Sequence, residues 1–304
     1  MKRREPPRRV KYADREGYQL EIEETGDSSG AAVVLQHGMP GHNGNLKPSG
    51  QSLYRGGIRL VAYSRPGYPG STRRKGRNVA DAANDVRAIA AELDLGRYAL
   101  VGRSVGAAHA LACAALIPPE ELAVVYALAP PTPPDRGLWT ANMAASNQVV
   151  YDTDDDARIA ALIQLRADRV SNDPSSLLRM LEDELPLADR KLLGSGGLRQ
   201  ELLRCYAASV GQDRGEEAGG WIDDAVALTR PWGVSLNDIN ANGVPIHIWA
   251  GEDDVFAPVE QIRAMARQLH NATLTVGSSQ GHFSAVEEAK WAIFEAAGAV
   301  WQQA

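Results

Sequence analysis

The pattern of apolar and polar residues follows two periods along this chain. Residues 18–23, Tyr-Gln-Leu-Glu-Ile-Glu, alternate apolar and polar side chains, which is typical of a strand with one buried face. The turn-forming Asp-Arg-Glu-Gly before them predicts a hairpin with residues 10–13. Later apolar runs are short and nearly unbroken, as in strands buried on both faces, and they lie at residues 32–36, 59–63, 98–101, 122–128 and 245–250.

Segments with helical periodicity alternate with those apolar runs. They cover residues 79–93, 105–117 and 259–269, and residues 273–276 and 289–301 complete the pattern as a last strand and a last helix. Strands that alternate with helices favour a mainly parallel sheet that is covered by helices on both faces. We therefore predict an α/β fold.

One long segment, residues 131–237, breaks this alternation. It contains no apolar strand-like run, and its helical stretches lie at residues 140–150, 157–169, 174–185, 198–210 and 221–228. The segment begins with a proline cluster and ends near Pro231 and Trp232. We interpret it as a helical cap inserted into one α/β domain, which residues 10–130 and 238–304 form, and we interpret the basic residues 1–9 as a flexible tail.

The composition is that of a globular protein without a basic surface. Hydrophobic residues make up 44% of the 304 positions and the net charge is −6, which argues against nucleic acid as a partner. No segment approaches the roughly 20 apolar residues that cross a bilayer, and the basic N-terminus lacks the apolar part of a signal peptide. Cys113 and Cys205 lie far apart and are expected to be reduced thiols. We therefore expect a cytoplasmic protein that acts on a small molecule, without a membrane partner and with a homo-oligomer as an option.

The strongest chemical signal is the pentapeptide Gly102-Arg103-Ser104-Val105-Gly106. A chain with 29 glycines easily produces Gly-x-Ser-x-Gly by chance, so the flanking elements decide its meaning. The predicted strand 98–101 precedes it and an alanine-rich helix follows it. A serine on such a turn is held above the carboxyl edge of the sheet, beside the free amides of a helix N-terminus. This context indicates a nucleophile.

Two loops supply the residue types that a nucleophilic serine needs. The serine requires a base, the base requires an orienting carboxylate, and on this kind of turn the chain order is serine, acid, histidine. The loop after strand 245–250 reads Gly-Glu-Asp-Asp-Val-Phe-Ala-Pro, and the loop after strand 273–276 contains Gly-His-Phe. The order Ser104, Asp254, His282 fits.

With these loops the chain resembles the α/β-hydrolase fold superfamily, in the form of an esterase-like serine hydrolase with a helical cap. The resemblance rests also on His-Gly-Met-Pro-Gly at residues 37–41 and on Ser-Arg-Pro-Gly-Tyr at residues 64–68. It covers nearly the whole chain apart from the tail and is weaker within the cap. It implies a mainly parallel eight-stranded sheet flanked by helices, with the cap as an insertion.

The resemblance also implies roles for individual residues. Ser104 would be the nucleophile, His282 the general base and then the general acid, and Asp254 the carboxylate that orients it. Asp254 is preferred to Asp253 because it stands three residues after the loop glycine and four before the proline. Asp135, at the end of the strand before the cap, is a further alternative.

The loop at residues 37–41 would supply part of an oxyanion hole. The resemblance assigns this hole to the backbone amides of Met39 and Val105. His37 lies in the same loop, where support of the loop is favoured over a part in catalysis or substrate binding. His37 and His42 have no third ligand at a matching spacing, so we expect no metal, and nothing in the sequence implies a cofactor.

Arg103 and Trp139 are the other candidates for substrate binding. The favoured interpretation turns Arg103 towards the surface, where it pairs with a carboxylate. The alternative turns it into the pocket, towards an acidic or polar group of the substrate or a carboxylate of the cap. Trp139, Trp221 and Trp232 either line the pocket or close the cap on the sheet, and the sequence favours neither option.

Three functional hypotheses follow. The first is a cofactor-independent serine hydrolase that cleaves an ester, lactone, thioester or amide of a small molecule through an acyl-enzyme on Ser104. The second keeps the acyl-enzyme but changes the acceptor, as in an acyltransferase, a cyclase or a thioesterase that releases a natural-product chain. The third is a non-catalytic ligand-binding module on the same fold, against which the complete set of residue types in order argues.

Overall fold

The computed structural model describes residues 8–15, 17–44, 48–134, 139–194, 196–210 and 218–301. Its strands are β1 (Arg8–Arg15), β2 (Tyr18–Gly26), β3 (Ala31–Gln36), β4 (Ile58–Tyr63), β5 (Tyr98–Arg103), β6 (Leu122–Leu128), β7 (Ile246–Gly251) and β8 (Ala272–Gly277). They form one eight-stranded sheet in the order β1-β2-β4-β3-β5-β6-β7-β8. The β1–β2 and β2–β4 pairs are antiparallel and the other pairs are parallel, which confirms the mainly parallel sheet.

Helices cover both faces of the sheet and explain the unbroken apolar runs of its central strands. In β3, Val34 packs into the core on one face, while Val33 and Leu35 pack into the core on the other. The first face carries α2 (Ala82–Glu92), α3 (Val105–Leu116) and α10 (Leu236–Asn242). The second carries α1 (Gly50–Arg55) and α12 (His282–Trp301), and α11 (Val259–Ala266) packs on β7 and β8.

Helices also fill the described part of the chain between β6 and β7. They are α4 (Ala145–Tyr151), α5 (Asp156–Asn172), α6 (Ser176–Leu181), α7 (Leu187–Gly194), α8 (Gly197–Ser209) and α9 (Gly219–Leu228), which we call the inserted helices. α5 lies at their centre, in contact with α4, α6, α8 and α9, and it buries Ile159, Ile163 and Val170 at helical spacing. The assignment of residues 131–237 to a separate cap stays a prediction.

The structure differs from the sequence prediction in several elements. β1 begins at Arg8, so the last two residues of the predicted tail lie in the sheet, and residues 1–7 lie outside the described residues. α1, α7 and α10 were not predicted because each is short and buries at most two side chains, so none has a clear hydrophobic period. α12 begins at His282, seven residues before the predicted start at 289.

Both cysteines are free and buried, as the sequence predicts for reduced thiols. No helix among the described residues combines the length and the hydrophobicity that would let it cross a membrane.

A buried ionic cluster around Asp224 connects the inserted helices to residues 65–77, which follow β4. Asp224 lies in α9 with its side chain fully buried. Its Oδ2 accepts a hydrogen bond from Arg65 Nη2 at 2.7 Å and from the Tyr68 hydroxyl at 2.8 Å, and its Oδ1 accepts one from Arg77 Nη2 at 2.6 Å. Burial alone would raise the pKa of Asp224, but the charges of Arg65 and Arg77 hold it well below its ordinary value. The carboxylate is therefore ionised in the folded protein.

The same cluster reaches the helix that follows Ser104. His109 Nδ1 donates to the carbonyl of Val105 at 2.9 Å, and Arg77 Nη1 lies 3.5 Å from His109 Nε2. Burial and the nearby charge of Arg65 lower the pKa of His109 to about 3, so the ring is neutral and Nε2 accepts. One carboxylate of α9 thus connects, through Arg77 and His109, to the start of α3.

Replacement of Asp224 is expected to destabilise the protein strongly. Asp224→Ala leaves the buried guanidinium groups of Arg65 and Arg77 without their counter-ion, which costs roughly 3–5 kcal/mol in the free energy of unfolding. The control is Glu121→Ala, which removes an ion pair with Arg87 that is exposed to solvent and is expected to cost less than about 1 kcal/mol. Urea unfolding measures both, and equal losses in the two variants would contradict the anchoring role of the cluster.

Candidate active site

Ser104 occupies a strained turn that only its glycine neighbours permit. It has φ 50° and ψ −124°, a left-handed conformation that is rare for a residue with a side chain. A Cβ on Gly102 would lie 2.3 Å from the carbonyl oxygen of Gly106, and a Cβ on Gly106 would lie 2.4 Å from the carbonyl oxygens of Gln36 and His37. The turn between β5 and α3 therefore requires glycine on both sides of the serine, as the sequence pattern suggests.

Asp254 and His282 form a close pair in the two loops that the sequence singles out. His282 Nδ1 lies 2.8 Å from Asp254 Oδ2. The other oxygen, Asp254 Oδ1, accepts hydrogen bonds from the amides of Phe256 and Ala257 at 2.8 and 2.9 Å. These amides fix the carboxylate in the loop after β7. Asp253 is exposed instead, and Asp135 lies outside the described residues.

Two aromatic rings pack against His282, and a carboxylate that is distant in the sequence caps the helix in which it lies. The rings of Phe256 and Phe283 pack edge-on against the imidazole, with centroids 5.4 and 5.7 Å from it. Asp189 of α7 accepts hydrogen bonds from the amides of Phe283 and Ser284 at 3.2 and 2.8 Å. These are free amides of the first turn of α12, so Asp189 caps the helix that begins with His282.

The electrostatic surroundings stabilise the charged form of His282. Burial alone would lower its pKa, but the charge and hydrogen bond of Asp254, and then the charge of Asp189, outweigh the burial. The pKa is therefore raised above the ordinary 6.5. Since Asp254 occupies Nδ1, the nitrogen that remains for proton exchange is Nε2.

Ser104 and His282 line one cavity of about 150 Å³ beneath the inserted helices. A cavity of this size holds a small organic molecule such as a six-membered ring. Most of its wall is apolar, with contributions from Trp139, Met143, Leu177, Leu181, Leu198, Leu202, Trp221, Leu228, Phe256, Phe283 and Val286. Of the three tryptophans considered from the sequence, Trp139 and Trp221 thus line the cavity. Trp232 is buried, and its carbonyl accepts a hydrogen bond from Ala80 N at 2.9 Å.

The loop at residues 37–41 lies against the serine turn. A Cβ on Gly38 would stand 3.6 Å from Ser104 Cβ, and Met39 and Val105 both line the cavity. No described residue accepts a hydrogen bond from the amide of Met39 or of Val105. Two residues whose amides have no acceptor among the described residues therefore line the same cavity as Ser104.

A family model for the alpha/beta hydrolase fold matches residues 31–289, from the first residue of β3 into α12. The chain belongs to the α/β-hydrolase fold family. The family predicted from the serine turn and the loops is thereby confirmed. No protein with a curated description is similar enough in sequence to count as a match.

Solved structures of low sequence identity share the fold of this α/β hydrolase. A carboxylesterase of the thaumarchaeon Nitrososphaera gargenis has a TM-score of 0.68 at 16% identity, covering 96% of this chain and 99% of that one. An enol-lactonase from Burkholderia xenovorans LB400 has a TM-score of 0.65 at 17% identity, covering 94% and 97%. A bromoperoxidase from Bacillus anthracis has a TM-score of 0.66 at 17% identity, covering 97% and 100%. At such identities the three establish the common fold alone.

His37 supports the loop of this α/β hydrolase and does not line its cavity. The amide of Arg65 donates to His37 Nε2 at 3.1 Å, so Nδ1 carries the proton and donates to the carbonyl of Gly38 at 2.7 Å. Burial and the charge of Arg65 hold the pKa of His37 well below its ordinary value. Both ring nitrogens are used inside the fold, which leaves neither for a substrate. Among the described residues, no three His, Cys, Asp or Glu side chains are grouped so that they could hold a metal ion.

Arg103 lies in the cavity, so the favoured interpretation that it turns to the surface is wrong. Its side chain is buried and borders the cavity next to Ser104. The sequence contained the reason. β5 buries Ala99 and Val101 on one face, and Arg103 follows them at the period of a strand.

Two carboxylates that the sequence does not single out, Asp189 and Asp224, connect the inserted helices to the site. Asp189 lies in the short, mainly polar α7 and Asp224 in the largely buried α9, and the partners of both are distant in the sequence. A buried carboxylate of this kind has no local motif, and only an unusual acid on the apolar face of a helix could have indicated it.

The titration of His282 is expected to depend on Asp254. Asp254→Asn removes the charge that raises the pKa of His282, so burial should dominate and the pKa should fall below that of the native protein. Asp253→Asn is the matched control, because Asp253 is exposed and should leave the titration unchanged. Nuclear magnetic resonance of the imidazole protons measures both, and a larger shift in the control would contradict the pairing.

Proposed function

We propose that this α/β hydrolase is a cofactor-independent serine hydrolase that cleaves an ester, lactone, thioester or amide of a small molecule through an acyl-enzyme on Ser104. The observation that carries the proposal is the meeting of three elements at one small cavity. These are a strained serine, a histidine paired with a buried carboxylate, and two amides without an acceptor. Each is a part that acyl transfer requires.

In the first half-reaction, Ser104 Oγ attacks the carbonyl carbon of the substrate while His282 Nε2 accepts the hydroxyl proton. The carbonyl oxygen becomes negative and receives hydrogen bonds from the amides of Met39 and Val105. Asp254 keeps the proton on Nδ1 and stabilises the imidazolium that forms. When the tetrahedral intermediate collapses, Nε2 returns the proton to the leaving group, which departs and leaves the acyl group on Ser104.

In the second half-reaction, water replaces the leaving group. His282 Nε2 takes a proton from the water, whose oxygen attacks the acyl carbon, and the same two amides bind the oxyanion. Collapse of this intermediate breaks the bond to Ser104 Oγ, which recovers its proton from His282. The products are a carboxylic acid and the alcohol, thiol or amine released earlier; for a lactone the two stay joined as one hydroxy acid.

Covalent labelling tests the nucleophile directly. A fluorophosphonate probe is expected to label the native protein, because its phosphorus is attacked by an activated serine. Ser104→Ala should abolish the labelling, and His282→Ala should slow it at least about 10³-fold, since the serine then loses its base. Gel fluorescence and intact-mass measurement report the labelling, and initial rates on a panel of short esters and lactones report turnover.

The control for labelling is Ser28→Ala, which removes an exposed serine of the turn between β2 and β3. This variant should label and turn over like the native protein. An unlabelled native protein that also leaves every ester and lactone intact would contradict the proposal and favour a ligand-binding module. Labelling that survives Ser104→Ala would place the nucleophile elsewhere.

The pH dependence of turnover tests the role of His282. The general base must be neutral, so kcat/KM should fall as the pH drops through the pKa of His282. Because that pKa is raised, the half-maximal rate should lie above pH 6.5. A rate that stays constant down to pH 5 in the folded protein would exclude His282 as the base.

A further inference from the structure

Arg103 places a buried cation directly beside the candidate nucleophile. It is the last residue of β5, and its side chain is only 8% exposed. Arg103 Nη2 lies 3.9 Å from the point where a Cβ on Gly38 would stand, and Ser104 Cβ lies 3.6 Å from the same point. The guanidinium and the serine therefore meet at one glycine of the 37–41 loop, on the wall of the same cavity.

Among the described residues, Arg103 has no hydrogen-bond or ion-pair partner, unlike the other two buried arginines. Arg65 and Arg77 both form ion pairs with Asp224. No oxygen of a described residue accepts a hydrogen bond from the Arg103 guanidinium, and no carboxylate lies within ion-pair distance of it. A buried cation without a partner is costly in free energy, so its presence in a cavity wall points to a ligand that supplies the missing charge.

The acidic groups near the cavity compensate the positive charge of Arg103 only in part and from a distance. Glu287 borders the cavity, but Lys290 Nζ binds its Oε1 at 2.6 Å. Glu201 acts on Arg103 only through its charge, from beyond contact distance. Arg166 adds a second cation to the cavity wall and donates to the carbonyl of Ser146.

Arg103 keeps its charge in this environment. Burial lowers the pKa of Arg103 from 12.5, and a guanidinium that starts there stays protonated at neutral pH. An anion that enters the cavity therefore meets a fixed positive charge next to the serine.

We propose that the substrate carries a carboxylate close to its scissile bond and that Arg103 binds this carboxylate, an inference that rests on the hydrolase function proposed above. The planar guanidinium matches a carboxylate with two parallel hydrogen bonds. The apolar remainder of the wall accepts the hydrocarbon part, and the cavity volume of about 150 Å³ suits a small substrate. Short esters or lactones of this kind include the half-esters of dicarboxylic acids and the acyl esters of hydroxy acids.

Matched ester pairs test the preference for a carboxylate on either side of the scissile bond. Monoethyl glutarate and ethyl pentanoate differ by a carboxylate in place of a methyl group on the acyl side. Acetoxyacetate and ethyl acetate differ in the same way on the alcohol side. The native protein is expected to show a kcat/KM at least about 10-fold higher for the acidic member of one pair, since a buried charge-assisted contact is worth that much or more.

Arg103→Met should lower the ratio of acidic to neutral kcat/KM at least about 30-fold, because the carboxylate then enters the cavity without a counter-ion. Arg103→Gln provides a second neutral side chain, and circular dichroism of both establishes that the variants are folded. Arg263→Met, an exposed arginine on α11, is the control and should leave the ratio unchanged. The inference would be overturned if the native protein preferred the neutral ester in both pairs, or if both folded Arg103 variants kept the native ratio of acidic to neutral kcat/KM. The inference would also be overturned if Arg166→Met lowered the ratio of acidic to neutral kcat/KM while both Arg103 variants left it unchanged.

Equilibrium binding separates this inference from the proposed hydrolase function. Calorimetric titration with glutarate uses the Ser104→Ala protein, in which no covalent step occurs, and binding should disappear in Ser104→Ala/Arg103→Met. Glutarate binding through Arg103 in a protein that hydrolyses nothing would refute the hydrolase and leave the carboxylate site standing. Ester hydrolysis through Ser104 with neither binding nor an acidic preference would refute the carboxylate site alone.

Discussion

The position of the site depends on one buried carboxylate, that of Asp224. It compensates Arg65 and Arg77 at once, and these two arginines lie some 150 residues before it in the chain. Arg65 also donates to the carbonyls of His37 and Gly38, which ties the cluster to the loop beside Ser104. Because separating these buried ionised groups from one another would be costly in free energy, the inserted helices, the 37–41 loop and the sheet are held in one arrangement. The cluster therefore sets the position of the inserted helices relative to Ser104.

The inserted helices act on the second half of the site through Asp189. This carboxylate satisfies free amides at the start of α12, and the first residue of that helix is His282. The inserted helices thus support the 37–41 loop through Asp224 and the start of α12, with His282, through Asp189. Inserted helices that only covered the cavity would need neither contact. Here they also set the positions of the 37–41 loop and of His282, so a change in the packing of these helices should alter the geometry of the site.

The sequence predicts those features whose cause is local. The sheet follows from short apolar runs, and the serine turn follows from Gly102 and Gly106, which the structure shows to be sterically required. The pairing of Asp254 with His282 follows from the resemblance of two loops to those of the α/β-hydrolase family, and His282 Nδ1 lies 2.8 Å from Asp254 Oδ2. Asp189 and Asp224 could not be predicted in this way, because an acidic residue in a helix normally faces solvent and only distant arginines or amides make its burial favourable. The start of α12 could not be predicted either, because the residue that caps it, Asp189, lies in α7 and is distant in the sequence.

Arg103 and Ser104 are neighbours, and each breaks a rule that stable folds obey. Ser104 has a left-handed backbone that costs free energy, and Arg103 buries a charge that has no hydrogen-bond or ion-pair partner among the described residues, which costs more. Neither feature is needed to build the sheet, since β5 has already completed its pairing with β6 at Arg103. The close contacts at Gly102 and Gly106 hold the turn, and the guanidinium borders the cavity. The strained serine and the unpaired arginine are adjacent and line one cavity. A ligand explains both features best, if one of its groups reacts with the serine and another neutralises the arginine.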